Sequence, residues 1–167
     1  MTDYSRWSRL DSCSNGWIDR TVRIATLIES EQKVIEFGCG KMALKSMLGD
    51  SCRYTPSDIV SRSPDTLICD LNVAILPTFF PYNDVAIFSG VLEYIYDLPR
   101  LARWLTTIVH TVIVSYASHG NAEERVSNGW VNSYTLAELV EIFAHAGFRC
   151  VHDEVWQSQT IFKFVKV

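Results

Sequence analysis

The sequence predicts an α/β fold built on a mainly parallel sheet, and three observations carry this prediction. Short apolar segments rich in β-branched residues alternate with segments in which apolar residues recur at helical spacing. The apolar segments end on small or acidic residues, as strands do when they carry polar groups to one edge of a parallel sheet. With 167 residues, 48% of them hydrophobic, the chain can bury a full core, so we expect a single domain over residues 1–167.

Seven segments have the composition of strands. The first five, which we expect to be buried and parallel, are residues 34–37, 52–55, 66–69, 84–88 and 109–116. Residues 148–156 and 159–167 predict a closing hairpin, which adds an antiparallel pair to the sheet.

Four segments have helical periodicity, at residues 17–28, 42–48, 98–108 and 136–143. Gly49 and Gly147 follow the second and the fourth of them, where glycine commonly caps a helix. Residues 117–133 have no apolar period, so we expect a long loop after the fifth strand.

Charge and cysteine content exclude several classes of function. Lys and Arg number 15 against 19 Asp and Glu, which gives a net charge of -4, so nucleic acid is not an expected partner. The five cysteines are scattered and never spaced as C-x-x-C, which predicts a reduced, cytoplasmic protein without a metal site. The longest strongly apolar run, at residues 108–114, is too short to span a membrane.

A glycine turn follows the first predicted strand. Gly38 and Gly40 permit a tight turn and allow a ligand to approach the backbone, where Cys39 contributes its main chain. A glycine pair after a strand is also common in turns that bind nothing, so the prediction of a binding site depends on the residues at the ends of the other strands.

Two acids follow the next two strands. Asp58 lies 18 positions after Gly40, where a carboxylate can accept hydrogen bonds from both hydroxyls of a ribose. Asp70 is placed to accept from the exocyclic amine of adenine, and Ile59 and Leu71 are placed to contact the two faces of the base. Together with the glycine turn, these residues outline a nucleoside pocket.

Two classes of nucleotide ligand fit this outline. Residues 38–43 match the dinucleotide pattern G-x-G-x-x-A, so an NAD(P)-dependent oxidoreductase is one hypothesis. Glu36 stands two residues before the first glycine, where it would repel a pyrophosphate, and the dinucleotide pattern does not require Asp70. A cationic ligand would be favoured by both acids.

The segment VIEFGCG at residues 34–40 resembles motif I of the class I S-adenosylmethionine-dependent methyltransferases. YTPSD at 54–58, CDL at 69–71 and SGVLEY at 89–94 stand where that family has its ribose acid, its adenine contact and its motif beside the methionine moiety. The resemblance implies a Rossmann-like fold, a mostly parallel seven-stranded sheet with an antiparallel C-terminal strand, and S-adenosyl-L-methionine as cofactor. The residues it implies for the cofactor are Glu36, Phe37, Gly38, Cys39, Gly40, Asp58, Ile59, Asp70, Leu71, Ser89, Gly90 and Val91.

The chain departs from the family pattern at two places. Met42 replaces the third glycine of motif I, and only residues 59–65 separate Asp58 from the third strand. We therefore expect the helix that the family usually has there to be missing or reduced to a turn, which makes the predicted fold minimal.

The methyl acceptor is expected to lie under the loop after the fifth strand. The chain has neither the Asn/Asp-Pro-Pro-aromatic motif of base amino methyltransferases nor a Pro-Cys nucleophile, so we predict O-methylation of a small-molecule or sugar-type acceptor. A third hypothesis is a methyltransferase-like protein that binds the cofactor without catalysis. The predicted catalytic residues are Tyr116, His119 and Arg125, and the predicted substrate contacts are Glu93, Tyr94 and Trp130. The alternative interpretation is that the loop after the fifth strand is solvated surface and does not bind the acceptor.

The N-terminal residues 1–16 allow two interpretations. Tyr4 and Trp7 are aromatic residues outside any periodic element. The segment therefore folds over the cofactor as a lid, or it is a flexible tail.

Overall fold

The computed structural model describes residues 2–9, 15–78, 80–118, 120 and 122–167. Its sheet has seven strands in the order β3-β2-β1-β4-β5-β7-β6. The first five strands pair in parallel, while β7 pairs antiparallel with both β5 and β6, as predicted. The strands are β1 Lys33–Phe37, β2 Arg53–Asp58, β3 Leu67–Ile68, β4 Asn83–Ser89, β5 Val109–Tyr116, β6 Phe148–Trp156 and β7 Gln159–Lys166.

The α-helices in the described residues are α1 Tyr4–Trp7, α2 Ile18–Ala25, α3 Leu98–Leu105, α4 Ala122–Ser127 and α5 Leu136–His145. Short 3₁₀ helices occupy Asn15–Trp17, Ala43–Ser46 and Leu92–Tyr94. Helix α5 begins with a capping box, because Thr135 and Glu138 each bond to the backbone of the other.

The helix predicted at residues 42–48 is wrong. The chain forms only the 3₁₀ turn Ala43–Ser46 there, because Gly40 and Met42 have left-handed backbone angles, with φ of 47° and 55°. A helix cannot propagate from such a start. The turn ends at Met47, so Gly49 does not cap it.

Two loops also bear on the predictions from the sequence, and the first agrees with its prediction while the second differs. Residues 59–66 contain no helix, as the short spacing predicted, and Cys69 N–H donates to the Asp58 carbonyl at 2.9 Å directly between β3 and β2. The loop after β5 does contain a short helix, α4, that the sequence did not predict, because its six residues carry too few apolar side chains to show a period.

The central strands are buried on both faces. On one face, Ile35 and Phe37 of β1 pack with β4, β5, α3 and α5 in the larger core cluster. On the other face, Val34 packs with Ile24 of α2 in a smaller cluster. Because successive side chains alternate, Glu36 points to the same face as Val34, towards α2.

Candidate functional site

A cleft of about 230 Å³ opens at the carboxyl ends of β1, β2, β3 and β4. Ten of the twelve residues predicted to contact the cofactor line it. They are Glu36, Gly38, Cys39, Gly40, Asp58, Ile59, Asp70, Leu71, Ser89 and Val91. The residues that the sequence analysis selected at the strand ends therefore lie together around one cleft.

Phe37 and Gly90 are the two predicted contacts that do not line the cleft. Phe37 alternates with Glu36 and lies in the opposite core cluster, where its ring stacks on Phe88 with centroids 5.0 Å apart. Gly90 has a φ of 69°, and a Cβ there would lie 2.7 Å from a guanidinium nitrogen of Arg20. Phe37 therefore packs in the core, and the absence of a Cβ at Gly90 leaves room for the Arg20 side chain.

The turn after β1 forms one wall of the cleft. Gly38 has a φ of 68°, and a Cβ at this position would lie 2.6 Å from Cγ2 of Val91. Cys39 N–H donates to the Ser57 carbonyl at 3.1 Å, which ties the turn to the end of β2. Burial raises the pKa of the Cys39 thiol to about 12, so this side chain is not a thiolate nucleophile at neutral pH.

Glu36 lies at the base of the cleft and is 4% exposed. Its carboxylate accepts a hydrogen bond from the Tyr54 hydroxyl. The pKa of Glu36 is raised to about 8, chiefly by burial and in part by the neighbouring Asp58 charge, while Tyr54 and Arg20 oppose the increase. A cationic group beside Glu36 would favour its ionised form.

Asp58 is fixed by backbone amides and by one arginine. Its Oδ1 accepts from Ile59 N–H at 2.7 Å, and its Oδ2 accepts from Gly40 N–H at 3.0 Å. Arg62 Nε donates to Oδ2 at 3.1 Å, and both side chains of this ion pair are almost fully buried. The predicted ribose acid therefore already has a cationic partner inside the cleft.

Asp70 holds the N-terminal segment. Its Oδ1 accepts from the Thr2 hydroxyl at 2.7 Å, and its Oδ2 accepts from the Tyr4 hydroxyl at 2.9 Å. The backbone N–H of Asn72 donates to Oδ1 at 2.9 Å. Trp7 lines the cleft, where its ring makes an edge contact with Tyr94 at a centroid distance of 4.7 Å.

Arg20 of α2 is a cleft residue that sequence reasoning missed. It is 3% exposed, and it donates from Nε to Ser89 Oγ at 3.0 Å, from Nη2 to the Ser89 carbonyl at 3.1 Å and from Nη1 to Gln159 Oε1 at 2.9 Å. Burial lowers its pKa, and the nearby acids, of which Glu93 has the largest effect, oppose that change. One signal was available, because Arg20 lies one turn after Trp17 and one turn before Ile24, on the apolar face of α2.

Two of the three predicted catalytic residues, Tyr116 and Arg125, do not line the cleft. Tyr116 is fully buried, and its hydroxyl donates to Asn132 Oδ1 at 2.7 Å and accepts from Tyr134 N–H at 2.9 Å. Arg125 is 7% exposed and donates to the carbonyls of Asn132, at 3.0 Å from Nε, and Ala117, at 3.2 Å from Nη1. These contacts hold the loop after β5 together, and a catalytic role of Tyr116 and Arg125 stays a prediction. His119 lies outside the described residues.

Among the predicted substrate contacts, Tyr94 lines the cleft and Glu93 and Trp130 do not. Trp130 Nε1 donates to the Tyr94 hydroxyl at 3.1 Å, so Trp130 helps to position a side chain that lines the cleft. Glu93 is 1% exposed, and its Oε1 accepts from Ala117 N–H at 2.9 Å, while burial raises its pKa. Glu93 therefore links the end of β4 to the end of β5.

The described residues contain no group of three or more His, Cys, Asp or Glu side chains that would hold a metal ion. No helix in this described part of the chain is both long and apolar enough to cross a bilayer.

Comparison with known proteins agrees with the fold. A family model described as a methyltransferase domain matches residues 8–153. No match is found among curated proteins.

Solved structures with the same fold are distant in sequence. An S-adenosylmethionine-dependent methyltransferase from Mesorhizobium loti is 14% identical, with a TM-score of 0.69 over 95% of this chain and 100% of that one. A protein solved in complex with the Haloferax volcanii Trm112 methyltransferase activator is 13% identical, with a TM-score of 0.73 over 98% and 96%. CalO1, a methyltransferase of calicheamicin biosynthesis solved with S-adenosylhomocysteine, is 18% identical, with a TM-score of 0.67 over 90% of this chain. This chain spans only 54% of CalO1.

Proposed function

Because the chain belongs to the family of methyltransferase domains and S-adenosylmethionine is the cofactor, we propose that it methylates an oxygen atom of a small-molecule or sugar-type acceptor. One observation carries the assignment of the site. Asp58 and Asp70, from the ends of neighbouring strands, line the same cleft as the Gly38–Gly40 turn. This arrangement provides acceptors for a ribose and an adenine beside a backbone that a ligand can approach.

The residues present fit the cofactor at its nucleoside end. Asp58 is oriented by the amides of Gly40 and Ile59, so its carboxylate is held facing the cleft. Ile59 and Leu71 supply apolar surface beside the two acids. The absence of a Cβ at Gly38 leaves room between the β1 turn and Val91.

The residues also fit a zwitterionic amino acid end. Arg20 and Glu36 both line the cleft, and the pKa of Arg20 responds to the Glu36 charge. We assign Arg20 to the methionine carboxylate and Glu36 to the methionine ammonium. The opposite charges of the two side chains match those of the amino acid.

The chemistry requires alignment more than side-chain catalysis. When bound, the cofactor supplies a methyl group on a sulfonium, which is already activated for displacement by an oxygen nucleophile. The protein aligns the acceptor and excludes water, and Trp7, Trp17 and Tyr94 give the cleft apolar aromatic walls for this purpose. The described part of the cleft lining contains no histidine. Acceptors that lose their proton readily, such as acidic phenols, fit such a site best.

The dinucleotide alternative has less support in the geometry. Glu36 is buried in the cleft next to Asp58, and neither acid offers the positive charge that would favour a pyrophosphate. Asp70 also lies in the cleft, although a dinucleotide site does not require it.

Two measurements test the proposal. Calorimetric titration should give binding of S-adenosylhomocysteine and none of NAD, and the reverse result would contradict the cofactor assignment. Methyl transfer from isotope-labelled S-adenosylmethionine should then be assayed against phenols, catechols and hydroxylated sugars. Binding of S-adenosylhomocysteine without transfer to any of these acceptors would favour the hypothesis of a cofactor-binding protein without activity.

A further inference from the structure

The N-terminal segment, defined here as residues 2–9, donates hydrogen bonds to Asp70 and is connected to Asp58 through Arg62, and both acids are assigned to the nucleoside. We propose that this segment is an internal competitor of the cofactor, so that cofactor binding requires its release. The inference rests on the proposed function, since it uses Asp58 and Asp70 as the ribose and adenine acceptors.

The segment binds both oxygens of the predicted adenine acceptor. Both carboxylate oxygens of Asp70 accept hydroxyl hydrogen bonds, one from Thr2 at 2.7 Å and one from Tyr4 at 2.9 Å. Asn72 Nδ2 donates to the Thr2 hydroxyl at 3.1 Å and so supports this arrangement. The exocyclic amine of an adenine would approach the same two carboxylate oxygens, so it competes with these hydroxyls for Asp70.

The ribose acceptor is connected to the segment through Arg62. The guanidinium donates to Asp58 Oδ2 at 3.1 Å from Nε, and to the carbonyls of Ser8, at 2.8 Å, and of Trp7. A ribose that takes both oxygens of Asp58 must displace Arg62. Displacement of Arg62 also removes its two bonds to the segment.

The segment buries little apolar surface. Helix α1 has four residues, and none of them is buried. The ring of Trp7 makes an edge contact with Tyr94, and Arg6 Nη2 donates a hydrogen bond to the Ser127 carbonyl at 2.7 Å. A segment with so little buried apolar surface opens at low free-energy cost, so an exchange of donors at Asp58 and Asp70 is sufficient to release it.

The test compares nucleoside affinity in variants of the full chain. The double variant Thr2→Val/Tyr4→Phe removes both hydroxyl donors to Asp70 and keeps the side-chain shapes. We expect it to bind S-adenosylhomocysteine and adenosine about fivefold more tightly or better than the unmodified chain, a coupling of ordinary size. The matched control is Tyr82→Phe, because Tyr82 is an exposed tyrosine like Tyr4, at 54% against 45%, but is not one of the donors to Asp70. The control should leave both affinities unchanged.

A second measurement uses the reciprocity of the coupling. Addition of S-adenosylhomocysteine should speed amide hydrogen exchange in residues 2–9, because bound ligand and docked segment exclude each other. Slower exchange, or weaker binding by the double variant, would mean that the segment closes over the cofactor, and this would overturn the inference. Equal affinities in the double variant and the unmodified chain would overturn it as well. Absence of S-adenosylhomocysteine binding in every variant would contradict the proposed function itself.

Discussion

Glu36 on β1 and Tyr54 on β2 share a partly buried hydrogen bond between neighbouring parallel strands, and this contact lies beside the cleft. Burial raises the pKa of Glu36 from 4.5 to about 8. Between these pH values the unfolded chain releases the proton while the folded chain keeps it. The folded state therefore binds more protons, and its stability falls as pH rises from about 4.5 to about 8.

The first prediction concerns Glu36→Gln. The amide is neutral at all these pH values, and its oxygen can still accept from Tyr54. We expect the free energy of unfolding of the variant, measured with urea, to depend less on pH between about pH 5 and pH 8. At the upper end of this range the variant should be more stable than the unmodified chain by about 1.4 kcal/mol for each unit by which the pKa of Glu36 is raised. Glu141→Gln, on the exposed face of α5, is the control. Parallel pH profiles of the Glu36 variant and the unmodified chain would show that Glu36 is ionised in the folded state.

The second prediction compares two glycines. Gly38→Ala places a Cβ 2.6 Å from Val91 Cγ2 at a φ of 68°, so we expect the free energy of unfolding to fall by more than about 1 kcal/mol. S-adenosylhomocysteine affinity should fall too, because the new methyl group narrows the cleft. Gly49→Ala meets nothing closer than Ser51 Oγ at 3.9 Å and should change stability by less than about 0.5 kcal/mol. Equal thermal midpoints for the two variants would argue against a strained turn at Gly38.

The third prediction tests the assignment of Arg20. Arg20→Gln should weaken S-adenosylhomocysteine binding by about 1.5–3 kcal/mol, the range for hydrogen bonds to charged groups. Binding of 5′-methylthioadenosine should change little, because this nucleoside lacks the amino acid carboxylate. The control is Arg23→Gln, whose side chain is exposed and pairs with Glu154. If both ligands lose affinity equally, Arg20 acts on the shape of the cleft and does not bind the carboxylate.

The sequence predicted the strands and their acidic ends because each strand is a short apolar run with a local stop signal. The ion pair of Arg62 with Asp58 lies within four residues, yet its contacts to Trp7 and Ser8 join distant parts of the chain, and no local pattern encodes them. The same holds for Arg20, whose partners lie on β4 and β7.

The direction of side chains at strand ends was the harder problem. Tyr116 follows Val112 and Val114 on one face of β5 and therefore packs in the larger core cluster. The alternation of side chains shows which residues share a face of the strand. When a strand is apolar on both faces, however, its sequence does not indicate which face lies towards the ligand. The same ambiguity explains why the sequence predicted a cofactor contact at Phe37, which belongs to motif I but lies in the core away from the cleft.

The last prediction separates a structural role of Arg125 from a role in acceptor binding. The guanidinium fork donates to the carbonyls of Ala117 and Asn132, which lie on either side of α4, and it also lies 4.9 Å from the centre of the Trp130 ring. A lysine cannot span both carbonyls with the same geometry. Arg125→Lys should therefore lower the free energy of unfolding by about 1–3 kcal/mol, the cost of leaving buried groups without partners.

Chemical denaturation and S-adenosylhomocysteine titration together check the Arg125 prediction. We expect lower stability with unchanged cofactor affinity, since Arg125 does not line the cleft. Arg149→Lys, at an exposed position of β6, should leave both quantities unchanged. If Arg125→Lys is as stable as the unmodified chain but has a raised KM for an acceptor once one is known, the guanidinium binds the acceptor, and the loop after β5 regains the role that the sequence first predicted for it.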